Sequence, residues 1–342
     1  MTRRATMQDV AEAAGVSLST VDRILNRRAS VKRATVDQVL AAARRVGYHG
    51  VPSIQGWLSD TAPPATFGFL LNSRGRVLYS DFADMLAARI RASSLVRGTA
   101  VIRHLDSLDP AEAVAALAEL GASCDAVAIV ATDTPAINAE VERLVSAGTP
   151  VFTMFSDIST AHRSAFVGAD GWKIGRGAGW MVHHLSPRTG SVGVLVGSSE
   201  YLAHRAYHDG LVESLRAQHS QLRVVEGGET LESDTAAEDL TDALLHSVPD
   251  LVAIFVAGGG LGGAVKAVTA AGRHDLFLVG TELSREADEA LSSGVLDVVL
   301  SHPADAVARR IVSAMEASVI AGARATYADI QVPVDTRIRE TL

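Results

Sequence analysis

The sequence predicts a small all-α head that contains a helix-turn-helix, followed by an α/β body of two lobes, each built on a doubly wound parallel sheet. Helical patterns fill the first 48 residues, and apolar strands then alternate with helices to the end of the chain. Charge divides the chain at the same place. Residues 1–50 carry nine Lys and Arg against four Asp and Glu, a net of +5; because the whole chain carries −8, residues 51–342 carry −13.

The head opens with a short helix and a tight turn. Thr6 can accept a hydrogen bond from the first turn of this helix, and Gly15 stands where the chain must reverse with little room for a side chain. One side of the helix is apolar and is formed by Val10, Ala11 and Ala14.

A second helix follows Ser17, which can cap it. Its buried stripe is predicted to consist of Val21, Ile24 and Leu25. The opposite, accessible side then carries Leu18, Ser19, Asp22 and Arg23. Two ordinary amphipathic helices would give the same pattern. A third helix with an apolar face from Val36 to Val46, ended by Gly47 and Tyr48, favours the three-helix unit that places its second helix in the major groove of DNA.

The positive charge of the head favours nucleic acid as its partner. Phosphate attraction supplies affinity that does not depend on base sequence, whereas a duplex would repel the acidic body. We therefore expect residues 1–48 to bind double-stranded DNA, residues 49–64, which include three prolines, to form a hinge or linker, and residues 65–342 to form the body.

Apolar strand patterns alternate with helical patterns in the body. Strands of this kind are buried on both faces, which indicates parallel sheets, and nine of them are more than one sheet accommodates comfortably. We expect lobe 1 to span about 65–163 and 302–325, and lobe 2 about 164–301 and 326–342. Strands are predicted at 67–71, 100–102, 126–130, 151–154, 192–196, 224–225, 251–256, 276–279 and 295–300. Ligands of such sheets bind beyond the carboxyl ends of the strands, so a cleft between the lobes is the expected site.

Composition excludes several other classes of protein. The first residues lack the apolar segment of a signal peptide, and no stretch approaches the ~18 apolar residues of a membrane span, so a cytoplasmic location is expected. The single cysteine, Cys124, rules out internal disulfides and thiolate metal clusters and is predicted to be a core residue. No grouping of Ser, His and acid stands in a nucleophile-elbow context, so a hydrolase is not expected.

Four short motifs of the head are specific: Asp9-Val10-Ala11, Gly15-Val16-Ser17, Thr20-Val21-Asp22-Arg23 and Leu25-Asn26. With them the head resembles the lactose-repressor (LacI/GalR) family of bacterial transcription regulators. The body looks like that family's effector domain, which shares its fold with type I periplasmic sugar-binding proteins, through Asp125 to Asp133 with Pro135, Gly148 to Val151, Phe155-Ser156-Asp157, Phe166 to Asp170 with Gly175, and Val279-Gly280. The resemblance implies a homodimer on a near-palindromic operator, with a cleft ligand that alters its affinity for DNA.

The resemblance also implies roles for residues of the head. Leu18 and Ser19 fall where family members read base edges, and Arg23, one turn later, suits the O6 and N7 atoms of guanine. Asp22 lies on the same side and would act by repulsion or by accepting from cytosine. Contacts to the DNA backbone are implied for Thr6, Ser17, Thr20, Asn26 and Thr35.

The hinge departs from the family pattern. Family members have a hinge helix whose leucine enters the minor groove. Here Gly56 disfavours a helix, and Trp57 and Leu58 are the candidates for the wedge. Whether residues 51–58 form a helix stays open.

In the cleft, the resemblance points to polar side chains at strand ends. Sugar-binding relatives place an arginine three residues before the glycine that corresponds to Gly210; this chain has Tyr207 there, with Arg205 close by. The other candidates are Asn72, Tyr79, Phe82, Asp133, Asp157, His204, Glu282 and His302. This mixture of acids and histidines suits a sugar, a polyol or a related polar metabolite.

Three alternatives stay open. The run Gly258–Gly263 satisfies G-x-G-x-x-G between a strand and a helix, with Glu282 about 20 residues on, as in a nicotinamide-dependent oxidoreductase; against this, the match arises from a poly-Gly run deep in the chain. His204 and His208 are four residues apart and could share a metal, but the spacing offers no third ligand. A sugar-binding receptor of an uptake system would need an export signal and no basic head.

The sequence therefore predicts a transcription regulator that is not an enzyme, uses no cofactor or metal, and is most simply a repressor. Its operator affinity would be controlled by a small polar ligand bound between the lobes. Since no heptad segment precedes Leu342, a homodimer is expected rather than a tetramer.

Overall fold

A computed structural model describes residues 4–26, 31–187, 189–322 and 328–342. These residues form two compact units. One consists of the chain up to Thr66 together with Ala87–Thr99, and the other of Phe67–Leu86 together with Ala100–Leu342.

Three short helices of the head begin and end where the sequence predicts. They are α1 (Met7–Ala14), α2 (Leu18–Leu25) and α3 (Arg33–Arg45). The Thr6 hydroxyl accepts a hydrogen bond from the backbone N–H of Asp9 at 3.3 Å, and the Asp9 carboxylate accepts one from the N–H of Thr6 at 2.7 Å. Gly15 has φ of 62°, a left-handed conformation that ends α1. The Ser17 hydroxyl accepts from the N–H of Thr20 at 3.2 Å, so both predicted caps are confirmed.

The segment expected to be a linker contains a fourth helix, α4 (Val51–Thr61). Pro52 lies in its first turn, where the missing N–H costs nothing. Ile54, Trp57 and Leu58 are buried and belong to the same apolar cluster as the first three helices. The sequence left open whether residues 51–58 form a helix; they do, and this helix packs against the head. The hydrophobic burial of three large side chains outweighs the helix cost of Gly56, which is about 1 kcal/mol.

Lobe 1 is a six-stranded sheet with helices on its faces. Its strand order is β11-β5-β4-β3-β1-β2, and the registered pairs β1/β3, β3/β4, β4/β5 and β5/β11 are parallel. Helix α13 packs against β3, β4 and β5. The elements are β1 (Pro64–Asn72), α5 (Val77–Arg91), β2 (Arg97–Leu105), α6 (Pro110–Ser123), β3 (Ala126–Ile129), α7 (Pro135–Ala147), β4 (Val151–Met154), β5 (Ala165–Gly168), α13 (Ala304–Ala321) and β11 (Ile330–Gln331).

Lobe 2 is a second six-stranded sheet, in the order β12-β10-β9-β8-β6-β7. Its strand pairs are parallel except β10/β12, which is antiparallel. The elements are α8 (Gly171–Leu185), β6 (Thr189–Val196), α9 (Leu202–Ala217), β7 (Gln221–Glu229), α10 (Asp234–Ser247), β8 (Leu251–Ala257), α11 (Leu261–Ala270), β9 (Phe277–Gly280), α12 (Arg285–Ser293), β10 (Val298–Ser301), β12 (Asp335–Arg337) and a 3₁₀ turn at Arg339–Thr341. No helix in the described residues is both long and apolar enough to cross a bilayer.

The expected lobe boundaries need correction. Strand β5, which the sequence pattern did not predict, pairs with β4, so the chain leaves lobe 1 after Gly168 and not after residue 163. Strand β11 pairs with β5 in lobe 1, so lobe 1 also includes Ile330 and Gln331, which were expected in lobe 2. The expected boundary between residues 325 and 326 lies outside the described residues. Strand β11 has only two residues, too few for an apolar run to mark it, and strand β5 has four.

The packing of α4 predicts how the head responds to truncation of its side chains. Leu58→Ala should destabilise the head by about 2–5 kcal/mol, because a side chain with no exposed surface leaves a cavity in its core. Limited proteolysis of the full chain, followed as the rate of cleavage within the first 60 residues, measures this loss. Ser53→Ala, an exposed position of the same helix, is the control. Equal cleavage rates for the two variants would mean that α4 does not belong to the core of the head.

Candidate functional site

Helix α2 presents a polar face to solvent. Ser17, Ser19 and Arg23 are exposed, and the Leu18 side chain is 44 % exposed, although leucine usually lies in a core. Val21 and Ile24 are fully buried on the other side of the helix. The predicted core face is confirmed for Val21 and Ile24, whereas Leu25, which was expected in the same buried stripe, is only partly buried.

The polar side chains around α2 hold one another in place. The Asn26 amide donates to the Asp22 carboxylate at 2.7 Å, and the Ser17 hydroxyl lies 2.9 Å from the hydroxyls of Ser19 and Thr20. Thr6 is exposed at the start of α1, and Thr35 is partly exposed in the first turn of α3. The hydroxyl and amide groups among these side chains are within reach of solvent, as donors to a DNA backbone must be, whereas the Asp22 carboxylate can only accept.

Trp57 and Leu58, the candidates for a minor-groove wedge, lie elsewhere. Their exposed fractions are 9 % and 0 %, because they form the apolar face by which α4 packs into the head. In this conformation neither side chain is presented to a groove.

The second unit contains a small cavity at the carboxyl ends of strands from both lobes. Asn72 ends β1 and Phe155 follows β4 in lobe 1, while Gly258 follows β8 and Glu282 follows β9 in lobe 2. The cavity volume is about 50 Å³, room for a few water molecules and less than a sugar needs. Its lining residues are Asn72, Arg76, Leu78, Tyr79, Val130, Phe155, Ser156, Tyr201, Ala203, His204, Tyr207, Glu232, Gly258, Gly259, Thr281, Glu282 and His302.

An ion bridge joins the two lobes across this cavity. Arg76 lies between β1 and α5. One terminal nitrogen of its guanidinium donates a hydrogen bond to the Glu232 carboxylate and the other donates to the Glu282 carboxylate; both glutamates belong to lobe 2. All three side chains are less than one-fifth exposed, and the guanidinium also lies 5.1 Å from the centroid of the Tyr79 ring. Burial opposes the charge of Arg76, but the two carboxylates outweigh it and raise the pKa of the guanidinium.

The two glutamates differ in their electrostatics. Burial would raise the pKa of Glu232, but the charge of Arg76, aided by His204 and by the N–H of Gly259, lowers it overall. The pKa of Glu282 is raised, first by burial and then by repulsion from Glu232, which Arg76 only partly offsets. Glu232 is therefore the better-stabilised anion of the two.

Neutral hydrogen bonds also cross the cleft. The Asn72 amide donates to the Tyr79 hydroxyl at 3.2 Å, and its carbonyl accepts from the Tyr201 hydroxyl of lobe 2 at 3.0 Å. The N–H of Ala203 donates to the Ser156 hydroxyl at 3.2 Å. Groups of the two lobes thus satisfy one another's hydrogen-bonding capacity across the cleft.

His302 is a buried, neutral imidazole. The N–H of Ala169 donates to its Nδ1 at 2.8 Å, so Nε2 carries the ring hydrogen and donates to the Tyr207 hydroxyl, 2.8 Å away. Burial, with a contribution from His204, lowers the pKa of His302 to about 3. Since Tyr207 accepts from the histidine, its own hydroxyl hydrogen can be donated to a ligand oxygen.

Two cavity residues adopt left-handed backbone conformations without being glycine. Phe155 has φ of 60° and Glu232 has φ of 64°. The Phe155 ring contacts Phe82 at 4.8 Å and His302 at 5.3 Å between centroids, which makes it the centre of an aromatic wall. Strained conformations of this kind concentrate at ligand sites.

The glycine run after β8 is explained by close packing. Gly258 has φ of 126°, and a Cβ there would lie 2.7 Å from the His204 ring. The N–H of Gly259 donates to Glu232 at 3.1 Å, and the N–H of Gly263 donates to Asp234 at 3.2 Å. A nicotinamide dinucleotide would need these N–H groups for its phosphates, and the carboxylates that hold them would repel it.

The structure brings some of the predicted cleft residues together and leaves others outside. Asn72, Tyr79, His204, Tyr207, Glu282 and His302 line the cavity as expected. Phe82 is fully buried behind Phe155 and does not line it. His208 is bound to Glu226 at 2.9 Å, apart from His204, and the described residues contain no group of three or more His, Cys, Asp or Glu suited to a metal.

The expectation that Asp133, Asp157 and Arg205 line the cleft needs correction. Asp157 accepts two hydrogen bonds from Arg163, both at 2.5 Å, and Asp133 accepts from the N–H of Ser159 at 2.7 Å. Arg205 is half exposed and lies 3.5 Å from Asp133, outside the cavity. Asp133 and Asp157 follow the ends of β3 and β4, but nearby groups satisfy their charges, whereas Arg205 lies in the first turn of α9.

Sequence reasoning missed Arg76, Ser156, Tyr201 and Glu232. Arg76 and Glu232 follow the ends of β1 and β7 by four and three residues, so the strand-end rule could have found both. For Glu232 the strand itself was predicted too short, at 224–225 instead of Gln221–Glu229. No sequence signal indicated that the two side chains meet.

Two family models match the chain. Residues 6–50 match the model described as "Bacterial regulatory proteins, lacI family", and residues 96–322 match the model described as "Periplasmic binding protein domain". A DNA-binding helix-turn-helix joined to this body defines a DNA-binding transcription regulator. The chain belongs to the LacI family of bacterial regulators, with a periplasmic-binding-protein domain as its body. No curated protein matches it in sequence.

Solved structures share the fold of the body. A solute-binding protein from Agrobacterium vitis with bound D-fucose has a TM-score of 0.75 at 16% identity, and 80% of this chain and 96% of that chain are covered. A solute-binding protein from Burkholderia graminis in complex with D-arabinose has a TM-score of 0.73 at 16% identity, with 82% and 97% covered. An arabinose-binding protein from Geobacillus stearothermophilus has a TM-score of 0.68 at 18% identity, with 82% and 98% covered.

The buried imidazole of His302 predicts a pH-dependent stability. With a folded pKa of about 3 against about 6.5 when unfolded, the unfolded chain takes up a proton that the folded chain excludes. The contribution is complete above pH 6.5 and is lost as the pH falls toward 3, amounting to about 2 kcal/mol between pH 7 and pH 5. Urea unfolding of His302→Gln should show a smaller pH dependence than the wild type by that amount. His246→Gln, at an exposed histidine, is the control, and an undiminished pH dependence in His302→Gln would contradict the assignment.

Proposed function

We propose that the protein is a sequence-specific repressor that binds a near-palindromic operator as a homodimer and is controlled by a sugar or polyol in the cleft. The exposed polar face of α2 is the observation that carries the DNA-binding part of the proposal. Its site of action would be the bacterial cytoplasm, where the chromosome lies.

Base recognition would fall to three side chains of α2. Leu18 and Ser19 stand exposed at the start of this helix, where the recognition helix of a helix-turn-helix contacts base edges, and Arg23 is exposed one turn later. Asp22 is held by Asn26, which fixes an acceptor on the same side. One such helix reads a half-site of a few base pairs, so a two-fold symmetric pair doubles the contacts.

Hydroxyl-rich ligands suit the cleft. Its polar lining consists mainly of side chains that donate and accept hydrogen bonds without charge, and its aromatic wall offers an apolar surface for the C–H face of a sugar ring. The related structures named above are reported with D-fucose or D-arabinose bound. Because the closed cavity holds only a few waters, a ligand would enter an opened form and replace the cross-cleft hydrogen bonds of Asn72 and Ser156.

Strand β1 supports a coupling between ligand and DNA. Only Ala62 and Pro63 separate the end of α4 from β1, and the last residue of β1, Asn72, lines the cavity. A strand of nine residues is a stiff connection of roughly 30 Å. Since α4 is part of the head's core, a movement of β1 on ligand binding would be passed to the head itself, without the ordering of a disordered linker.

Substitution of Arg23 tests the proposed reading of bases. Arg23→Ala should weaken binding to the operator by about 1–3 kcal/mol, because a bidentate contact to guanine is lost, and should leave binding to random DNA nearly unchanged. The measurement is a fluorescence-anisotropy titration at fixed salt, with the operator selected from a random DNA pool by the wild-type chain.

Arg44→Ala is the matched control for this experiment. It removes the same charge from an exposed position of α3, away from the recognition helix, so any loss should be similar on operator and random DNA. If Arg23→Ala lost as much on random DNA as on the operator, Arg23 would contact only phosphate. If the wild-type chain enriched no sequence from the pool, the proposed function would be wrong.

A further inference from the structure

We propose that the cleft takes a polyhydroxylated ligand that carries one positive charge, such as an amino sugar or an amino polyol, and that Glu282 binds its ammonium group. This inference rests on the proposed function of the same cleft and specifies the chemical class of its ligand.

The charge of the cavity is the first argument. Among its lining residues, Arg76, Glu232 and Glu282 carry formal charge, which sums to −1 when both carboxylates are ionised. The raised pKa of Glu282 agrees with this count, because Arg76 only partly offsets the burial of that carboxylate and its repulsion from Glu232. The two histidines do not restore the balance, because burial lowers the pKa of both His204 and His302 and keeps the rings neutral near pH 7. A buried site with one uncompensated anion favours a cationic ligand.

The uncompensated negative charge lies on Glu282, because this carboxylate accepts fewer hydrogen bonds than Glu232. Glu232 accepts hydrogen bonds from Arg76 and from the N–H of Gly259, and it lies 3.8 Å from His204. Within the described part of the chain, the only hydrogen bond that Glu282 accepts comes from Arg76. A buried carboxylate can accept several hydrogen bonds, so Glu282 retains acceptor capacity inside the cavity. An ammonium group supplies both the charge and the donors.

The backbone beside Glu232 shows that the acidic pair is built into the fold. Leu231 and Glu232 both have positive φ, at 49° and 64°, which is unusual for side chains with a Cβ. This strained loop places Glu232 beside Arg76. Glu282 therefore shares one guanidinium with Glu232.

The rest of the lining suits hydroxyl groups. Asn72, Ser156, Tyr201 and Tyr207 are buried and hold amide or hydroxyl groups at the cavity, and Thr281 adds a hydroxyl beside Glu282. Sugar acids and phosphate esters are disfavoured, because the net negative charge of the cavity would repel them. The one cation of the lining, Arg76, is already paired with both carboxylates. The combination indicates a polyol skeleton with an amine.

Charge-matched sugars test the inference on the full-length protein. Calorimetric titrations at pH 6.5 would compare D-glucosamine, D-glucose and D-glucuronate, and likewise D-galactosamine, D-galactose and D-galacturonate. We expect at least one amine to bind about tenfold or more tightly than its neutral partner, and the acids to bind most weakly. In Glu282→Gln, which keeps the size of the side chain, the advantage of the amine should fall to about one. Asp239→Asn, at an exposed carboxylate outside the cavity, should keep it.

Three results would overturn the inference: a neutral sugar or an acid that binds as tightly as its amine, an amine advantage that survives in Glu282→Gln, or no binding of either amine. Operator binding measured on the same preparation separates this failure from failure of the proposed function. If a neutral sugar bound as tightly as its amine and changed the affinity for the operator, the proposed regulatory function would stand and the inference of a cationic ligand would be wrong.

Discussion

One guanidinium between two buried carboxylates is the interaction on which the body of this protein depends. Arg76 comes from lobe 1, and Glu232 and Glu282 come from lobe 2, so the ion bridge holds the cleft closed around a cavity smaller than a sugar. The neighbouring features follow from it. The glycines after β8 leave room for Arg76 and His204. Burial lowers the pKa of His204, and the positive charge of Arg76 adds to this effect.

The hydrogen bonds that cross the cleft bear on the proposed regulation. A ligand must replace contacts that the protein already makes with itself, so its affinity reflects the difference between the two sets of contacts. The first strand of the body runs from that cleft to a helix embedded in the DNA-binding head. The cleft and the DNA-binding head are thus joined by a short covalent path, which is the route that we propose for control by a ligand.

Features that depend on residues close together in the sequence could be predicted from it. The caps at Thr6 and Ser17, the turn at Gly15 and the strand Val151–Met154 follow from neighbouring residues and are confirmed. Helix α4 could not be decided from the sequence, because Gly56 disfavours a helix and only the folded structure shows that its apolar face is buried. The cleft was predicted only in part. The rule that ligands bind at strand ends located Asn72, Glu282 and His302, but Asp157 at another strand end is bound to Arg163. The ion bridge of Arg76 joins it to glutamates more than 150 positions away, and sequence periodicity cannot show such pairs.

The ion bridge can be tested most directly by a double-mutant cycle on the unfolding free energy at pH 7, with Arg76→Gln, Glu282→Gln and the double variant. Arg76→Gln alone should cost about 3–5 kcal/mol, because it leaves two buried carboxylates facing each other. Adding Glu282→Gln should recover a substantial part of that loss by removing one of them. Strictly additive losses would contradict the account, since they would mean that Arg76 and Glu282 do not interact.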